Sequence, residues 1–165
     1  MPNIVLIGFM GSGKSTIARL IAKESQRYFL DTDSLIESAY GKSIREIFTA
    51  FGEARFRSQE KELISWLAEN VKNAVIATGG GMPIHNDVSR LGKVFYLKID
   101  FGEISKRISL DPHQNTRPLF GNPDKAKELY DLRLKHYENA ANHVIECDTK
   151  NAEQITKEIL SKTSQ

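Results

Sequence analysis

An apolar strand that runs into G-x-x-x-x-G-K-[ST] and then into a helix leaves a chain few folds to choose from. Here Ile4-Val5-Leu6-Ile7 leads directly into Gly8-Phe9-Met10-Gly11-Ser12-Gly13-Lys14-Ser15-Thr16. Four fixed positions match by chance in roughly one chain of this length in 200, and the flanking strand and helix make chance a poorer explanation still. Glycines let the backbone curl until several N–H groups point inward as a nest for anionic oxygens. Lys14 supplies a point charge for the outer phosphates, and the Ser15 hydroxyl suits Mg²⁺. The helix expected over Lys14–Ser25 adds the positive end of its dipole. Gly11, Ser12, Gly13, Lys14, Ser15 and Thr16 are therefore expected to cradle a nucleoside triphosphate.

Short apolar runs alternate with helical patterns along the rest of the chain. Strands are expected at Asn3–Ile7, Tyr28–Asp31, Ala74–Thr78, Lys93–Ile99 and His143–Cys147. Helices are expected at Arg55–Asn70, Phe101–Ser109, Asp124–Asn139 and Ala152–Ser161, where apolar residues recur at i, i+3 and i+4. This alternation implies an α/β protein, with a parallel sheet covered by helices on both faces. Ligands of such sheets bind beyond the carboxyl ends of the strands. The phosphate loop, the Asp31 turn and the Thr78 turn all fall there. The 165 residues read as one domain, with no repeat or linker.

Composition narrows the partners. A net charge of +2 without a basic block argues against nucleic acid. No apolar run reaches the length of a membrane span, and the start of the chain shows no leader. The lone Cys147 lies in an apolar run and reads as a buried structural thiol. A cytoplasmic enzyme is expected, with a monomer as the default. The four histidines, His85, His113, His136 and His143, show no ligand spacing, and Trp66 and the tyrosines read as packing residues.

Around the phosphate loop, four features carry chemistry. Asp31 and Asp33 close the second strand two residues apart; if that strand continues through Thr32, both carboxylates face the strand-end crevice. One acid can orient the water shell of Mg²⁺, while the other holds a substrate hydroxyl and accepts its proton. The competing assignment makes Asp33 the N-cap of a helix over Ser34–Ala39. Thr78-Gly79-Gly80-Gly81 suits a place of close backbone approach or positive φ, and its N–H groups can bind an anionic substrate group. The strand before it lacks the terminal aspartate that many phosphate-loop enzymes use for Mg²⁺, leaving Asp31 as the candidate. Arg57 and Arg133 each read alone as solvated side chains, yet two forked guanidiniums beside a glycine turn make a carboxylate clamp. Finally, residues 110–123 are too rich in proline and turn residues for a continuous helix. They read as a mobile lid whose one arginine, Arg117, can stabilise a phosphoryl group in flight.

These residues, in this order and over nearly the whole chain, resemble the shikimate kinase family. The resemblance rests on Gly8–Thr16, Asp31-Thr32-Asp33, Gly52-Glu53-x-x-Phe56-Arg57, Thr78–Gly81, Arg117-Pro118-Leu119 and Arg133-x-x-x-Tyr137. It implies a three-layer α/β/α fold of the nucleoside-monophosphate-kinase type, with a five-stranded parallel sheet. It also implies transfer of the ATP γ-phosphoryl group, with Mg²⁺, to the shikimate 3-hydroxyl. Lys14, Asp33 and Arg117 would then be catalytic, and Ser15 and Asp31 would serve the metal. Asp33, Arg57, Gly79, Gly80, Gly81 and Arg133 would hold shikimate, and Arg107 and Arg117 would join the phosphate loop on ATP. The chain departs from the family pattern twice. Its Arg107–Arg117 segment is longer, and Asp148-Thr149-Lys150-Asn151 lacks the proline of the adenine pocket. The residues alone also admit another small-molecule kinase, for gluconate or a nucleoside monophosphate, or a regulatory nucleotide switch.

Overall fold

The structure, a computed structural model, describes residues 1–110 and 121–163. Five strands, β1 (Ile4–Ile7), β2 (Tyr28–Asp31), β3 (Ala74–Ala77), β4 (Lys93–Lys98) and β5 (His143–Glu146), form one sheet in the order β2-β3-β1-β4-β5. All four pairings are parallel. β1 and β3 are buried along their whole length, as their unbroken aliphatic character requires for a sheet covered on both faces. The edge strands β2 and β5 are less covered, and Tyr28 is 86% exposed.

Helices α1 (Lys14–Ser25), α2 (Thr32–Tyr40), α3 (Ile44–Asn70), α4 (Met82–His85), α5 (Phe101–Ser109), α6 (Pro123–Ala140) and α7 (Ala152–Thr163) connect and cover the strands. α1 and α5 have the bounds read from the sequence. From β1 the sheet is extended to β3 on one side and β4 on the other, so a crevice opens at the carboxyl end of β1. The phosphate loop sits in that crevice.

The structure departs from the sequence reading in four places. β2 stops at Asp31 and Thr32 is already helical, because the Asp31 side chain caps α2 by accepting the Ser34 N–H at 3.0 Å. Asp33 is therefore neither a strand residue nor the cap, and lies in the first turn of α2. α3 begins well before Arg55: Ser43 and Glu46 form a reciprocal capping box, and the helix is broken at Gly52, with φ 81° and ψ 168°. The expected lid over 110–123 overlaps α6, whose cap is Asn122 and whose first residue is Pro123; residues 111–120, with His113 and Arg117, lie outside the described residues. Trp66 is 56% exposed, because it stands on the outward face of α3 beside a shallow groove lined with Leu35, Ile36 and Leu63.

The main core spans the sheet and the helices on its two faces, with Phe95, Tyr96 and Tyr137 among its largest buried side chains. A second, smaller cluster of Ile36, Ile47 and Phe56 holds α2 against α3, and Leu63 packs against both clusters. Cys147 is buried in the main core, where burial pushes its thiol up to about 12. Among the described residues no helix is long and apolar enough to cross a membrane.

Candidate active site

A cleft of about 950 Å³ lies over the carboxyl ends of the strands, lined by the whole of Met10–Ile17 and by Asp31, Asp33, Thr78, Gly79, Gly80 and Arg107. One wall of it is the phosphate loop. Gly11 and Gly13 have φ of 78° and 88°, in the left-handed region that glycine enters freely. Gly13 caps α1 without a side-chain hydrogen bond, so the first N–H groups of α1 face the cleft. The Lys14 ammonium reaches back along the loop and donates to the Gly8 and Phe9 carbonyls at 2.7 and 2.9 Å. Arg107, in the last turn of α5, brings Nη1 to 3.6 Å from where a Gly13 Cβ would stand.

Two acids stand opposite that loop. The Ser15 hydroxyl donates to Asp31 Oδ2 at 3.2 Å, which joins a helix N-terminus to a strand end through two hard oxygen ligands. Such a pair fits Mg²⁺, which takes one or two protein oxygens and completes its octahedron with phosphate and water. Asp33 lines the same cleft by a different route from the one the sequence suggested. The first turn of α2, rather than strand periodicity, aims it there. Burial pushes its carboxyl up to about 6, with the Asp31 charge adding to the rise and Lys14 and Arg57 opposing it. A base with that affinity is suited to taking a proton near neutral pH.

The glycine turn after β3 explains itself by what presses on it. A Cβ on Gly79 would stand 2.5 Å from Asp33 Oδ1, and one on Gly81 would stand 2.6 Å from an Arg57 guanidinium nitrogen. Neither glycine needs a positive φ. Close approach is the requirement, and the groups approaching are two of the candidate substrate residues. Arg133, from α6, comes to 3.6 Å from a Gly80 Cβ, so Arg57 and Arg133 converge on the turn from different helices.

Three contributors were missed in the sequence. Glu60 is fully buried on α3 and accepts from Arg57 Nη1 at 2.7 Å, fixing the guanidinium from behind. Burial raises its carboxyl while Arg57 pulls it down. Its place one turn after Arg57 was the available signal. Thr32 accepts the Gly79 N–H at 3.0 Å. Lys150, Asn151, Ala152 and Ile155 line the cleft's far end, just past β5, in the segment where the family's proline is missing. Among the described residues, no three His, Cys, Asp or Glu side chains gather to hold a metal ion. His85 stands 3.8 Å from Glu53, and His143 stacks on Phe95.

The chain is similar to known proteins over nearly its whole length. A family model described as shikimate kinase matches residues 10–164. A shikimate kinase from Helicobacter hepaticus is 52% identical over 160 residues, covering 97% of this chain and 95% of its own. One from Clostridium botulinum is 44% identical over 161 residues, covering 94% and 92%. The solved shikimate kinase from Acinetobacter baumannii, in complex with shikimate, superposes with a TM-score of 0.88 at 32% identity, over 99% of this chain and 93% of that one. A deoxyadenosine kinase from M. mycoides, at a TM-score of 0.64 and 14% identity, shares the fold. The phosphate loop, the acid pair and the arginines converging on a triple glycine thus belong to a chain that is a member of the shikimate kinase family.

Proposed function

We propose that this protein transfers the γ-phosphoryl group of MgATP to the 3-hydroxyl of shikimate, giving shikimate 3-phosphate and ADP. The observation that carries the reading is the convergence of Asp33, Arg57 and Arg133 on one glycine turn that packs beside the start of the phosphate loop, where a Gly80 Cβ would stand 3.6 Å from Gly8 O and Met10 N. A nucleotide switch has no use for this second pocket, and its paired arginines suit an acceptor that bears a carboxylate.

Gly11–Thr16 hold the triphosphate through backbone N–H groups and the α1 dipole, with Lys14 exchanging its carbonyl partners for phosphate oxygens. Ser15 and Asp31 would hold Mg²⁺, which would supply charge neutralisation to the phosphates. Arg57, Arg133 and the turn around Gly80 and Gly81 bind the acceptor's carboxylate, and Asp33 beside Gly79 holds its hydroxyls. The acceptor oxygen forms its bond to the γ-phosphorus as the bond to the β–γ bridging oxygen breaks. The hydroxyl proton passes to Asp33, and ADP leaves with the electron pair of the broken bond. Arg107 lies over the nucleotide side of the cleft, and Arg117 is assigned to the phosphates on the family resemblance. Catalysis here consists of positioning and electrostatics. The chain is read as a single cytoplasmic domain acting as a monomer, without nucleic-acid or membrane partners.

The test is ADP release from ATP and Mg²⁺ with shikimate, gluconate or CMP as acceptor. Release that depends on shikimate, with a phosphorylated product identified by mass, is the expected result. Turnover with another acceptor but silence with shikimate refutes the carboxylate clamp. ATP binding without turnover on any acceptor favours a switch.

A further inference from the structure

Each carbonyl of the glycine turn has a traceable partner. The Gly79 carbonyl accepts the Met82 N–H at 3.1 Å, and the Gly81 carbonyl accepts those of Ile84 and His85 at 3.1 and 3.3 Å. These bonds are made by the turn's own continuation into α4. The Gly80 carbonyl alone is held by another element: the Tyr137 hydroxyl on α6 donates to it at 2.6 Å. Among the described residues no protein acceptor takes the N–H of Gly80 or Gly81. The turn thus turns its three carbonyls inward and leaves two successive donors, next to Arg57 and Arg133.

A peptide between two glycines rotates at little steric cost, because neither residue carries a Cβ. Its trans geometry points the Gly80 C=O and the Gly81 N–H in opposite directions. A flip of this one peptide would aim a carbonyl where a donor now points, placing partial negative charge against a carboxylate. We propose that Tyr137 is a positioning residue for the acceptor substrate: its hydroxyl latches the Gly80 carbonyl, so that the Gly81 N–H joins Arg57 and Arg133 in facing the substrate carboxylate.

The latch is rigidly mounted. The Tyr137 ring is 1% exposed and packs on Tyr96 with centroids 5.1 Å apart. Arg133 stands one turn earlier on the same face of α6, with its Nη1 3.6 Å from where a Gly80 Cβ would stand. Arg133 and Tyr137 therefore meet the turn at the same residue, Gly80, from one face of α6. Burial pushes the phenol up to about 12, with Arg133 opposing, so the hydroxyl keeps its proton across any working pH.

The proposal rests on shikimate being the acceptor, and Tyr137→Phe tests it by removing the hydroxyl while keeping the stacked ring. The expected result is a KM for shikimate raised about tenfold, as for one lost hydrogen bond to an ion, with KM for ATP and kcat within about twofold of the parent. The ratio of kcat/KM for shikimate to that for its methyl ester should shrink as well, since the latch acts through the carboxylate. KM does not depend on the fraction of active enzyme, so the readout survives some loss of folded protein. An unchanged KM for shikimate, an unchanged acid-to-ester ratio, or equal rises in the KM values of shikimate and ATP would each overturn the latch. A parent enzyme inactive on shikimate removes the acceptor assignment itself, and the latch with it.

Discussion

Asp33→Asn is expected to make the free enzyme more stable and less active, and the stability gain should depend on pH in a calculable way. The Asp33 carboxyl has an ordinary value of 3.8 and is pushed up to about 6 in the folded protein, with the attractions of Lys14 and Arg57 already included. Below about pH 4 the group is protonated whether the chain is folded or not, and it costs nothing. Between about 4 and 6 the folded state still binds the proton while the unfolded state has released it, so stability falls as pH rises. Above about 6 both states are ionised and the penalty is constant. At about 1.4 kcal/mol per pH unit the full penalty approaches 3 kcal/mol, and water in the open cleft trims it to about 2 kcal/mol. Asparagine mimics the protonated acid and avoids the whole of this. For a chain of this length the gain is about 4 to 8 °C in Tm. Thermal unfolding of both proteins, without ligand, from pH 4 to pH 8 is the assay. The Tm difference should open between pH 4 and 6 and stay constant above. A difference that does not change across that range would refute the account of Asp33 as a desolvated, ready base. Turnover of the same variant should fall roughly 10²- to 10⁴-fold, the usual contribution of a general base.

Four further outcomes follow from the same geometry. Lys14→Met should abolish phosphoryl transfer while circular dichroism shows an intact fold, because its bonds to the Gly8 and Phe9 carbonyls stay within the phosphate loop and cross-link no other element. Gly79→Ala and Gly81→Ala should separate the two halves of the acceptor pocket: the first pushes on Asp33 and lowers kcat, while the second pushes on Arg57 and raises KM for shikimate. Comparable kcat losses in both, with KM unmoved, would contradict that division. Glu60→Gln keeps one hydrogen bond to Arg57 but removes the nearer and buried one of its two counter-charges, leaving Glu53 at 3.4 Å; steady-state kinetics should show a raised KM for shikimate and an unchanged KM for ATP. Gly52→Ala has no steric neighbour within 4 Å and meets only its φ of 81°, so denaturant unfolding should show a loss of about 1 to 2 kcal/mol.

The sheet and the phosphate loop were legible because their signals are local. Continuous aliphatic runs such as Ile4–Ile7 and Ala74–Ala77 have only one comfortable place in an α/β chain, and the loop's spacing fixes the helix behind it. The first part of α3 was passed over although Ser43-x-x-Glu46 announces it, since Gly52 interrupts the helical period soon afterwards. Trp66 misled for a related reason: a large aromatic at helical spacing suggests the core, and only the direction of α3 decides which face it occupies. Arg57 and Arg133 could be paired as a clamp only by chemistry or resemblance, because tertiary packing of α3 and α6 brings them to one turn. Glu60 offered only its spacing from Arg57, as an acid within a charged helix looks solvated until the structure buries it.

The small cluster of Ile36, Ile47 and Phe56 shares Leu63 with the main core and has few members of its own. The elements it supports, α2 and the first part of α3, carry Asp33 and stand next to Arg57. Separating them from the sheet exposes far less apolar surface than unfolding the sheet does, so their amide protons should exchange through a partial opening well below the global unfolding free energy. The Asp33 side of the acceptor pocket therefore sits on the cheaper-to-open part of the molecule, while Arg133, the glycine turn and the nucleotide loop stay with the dearer. A lineage altering its acceptor could tolerate destabilising substitutions around that cluster while the sheet kept the chain folded.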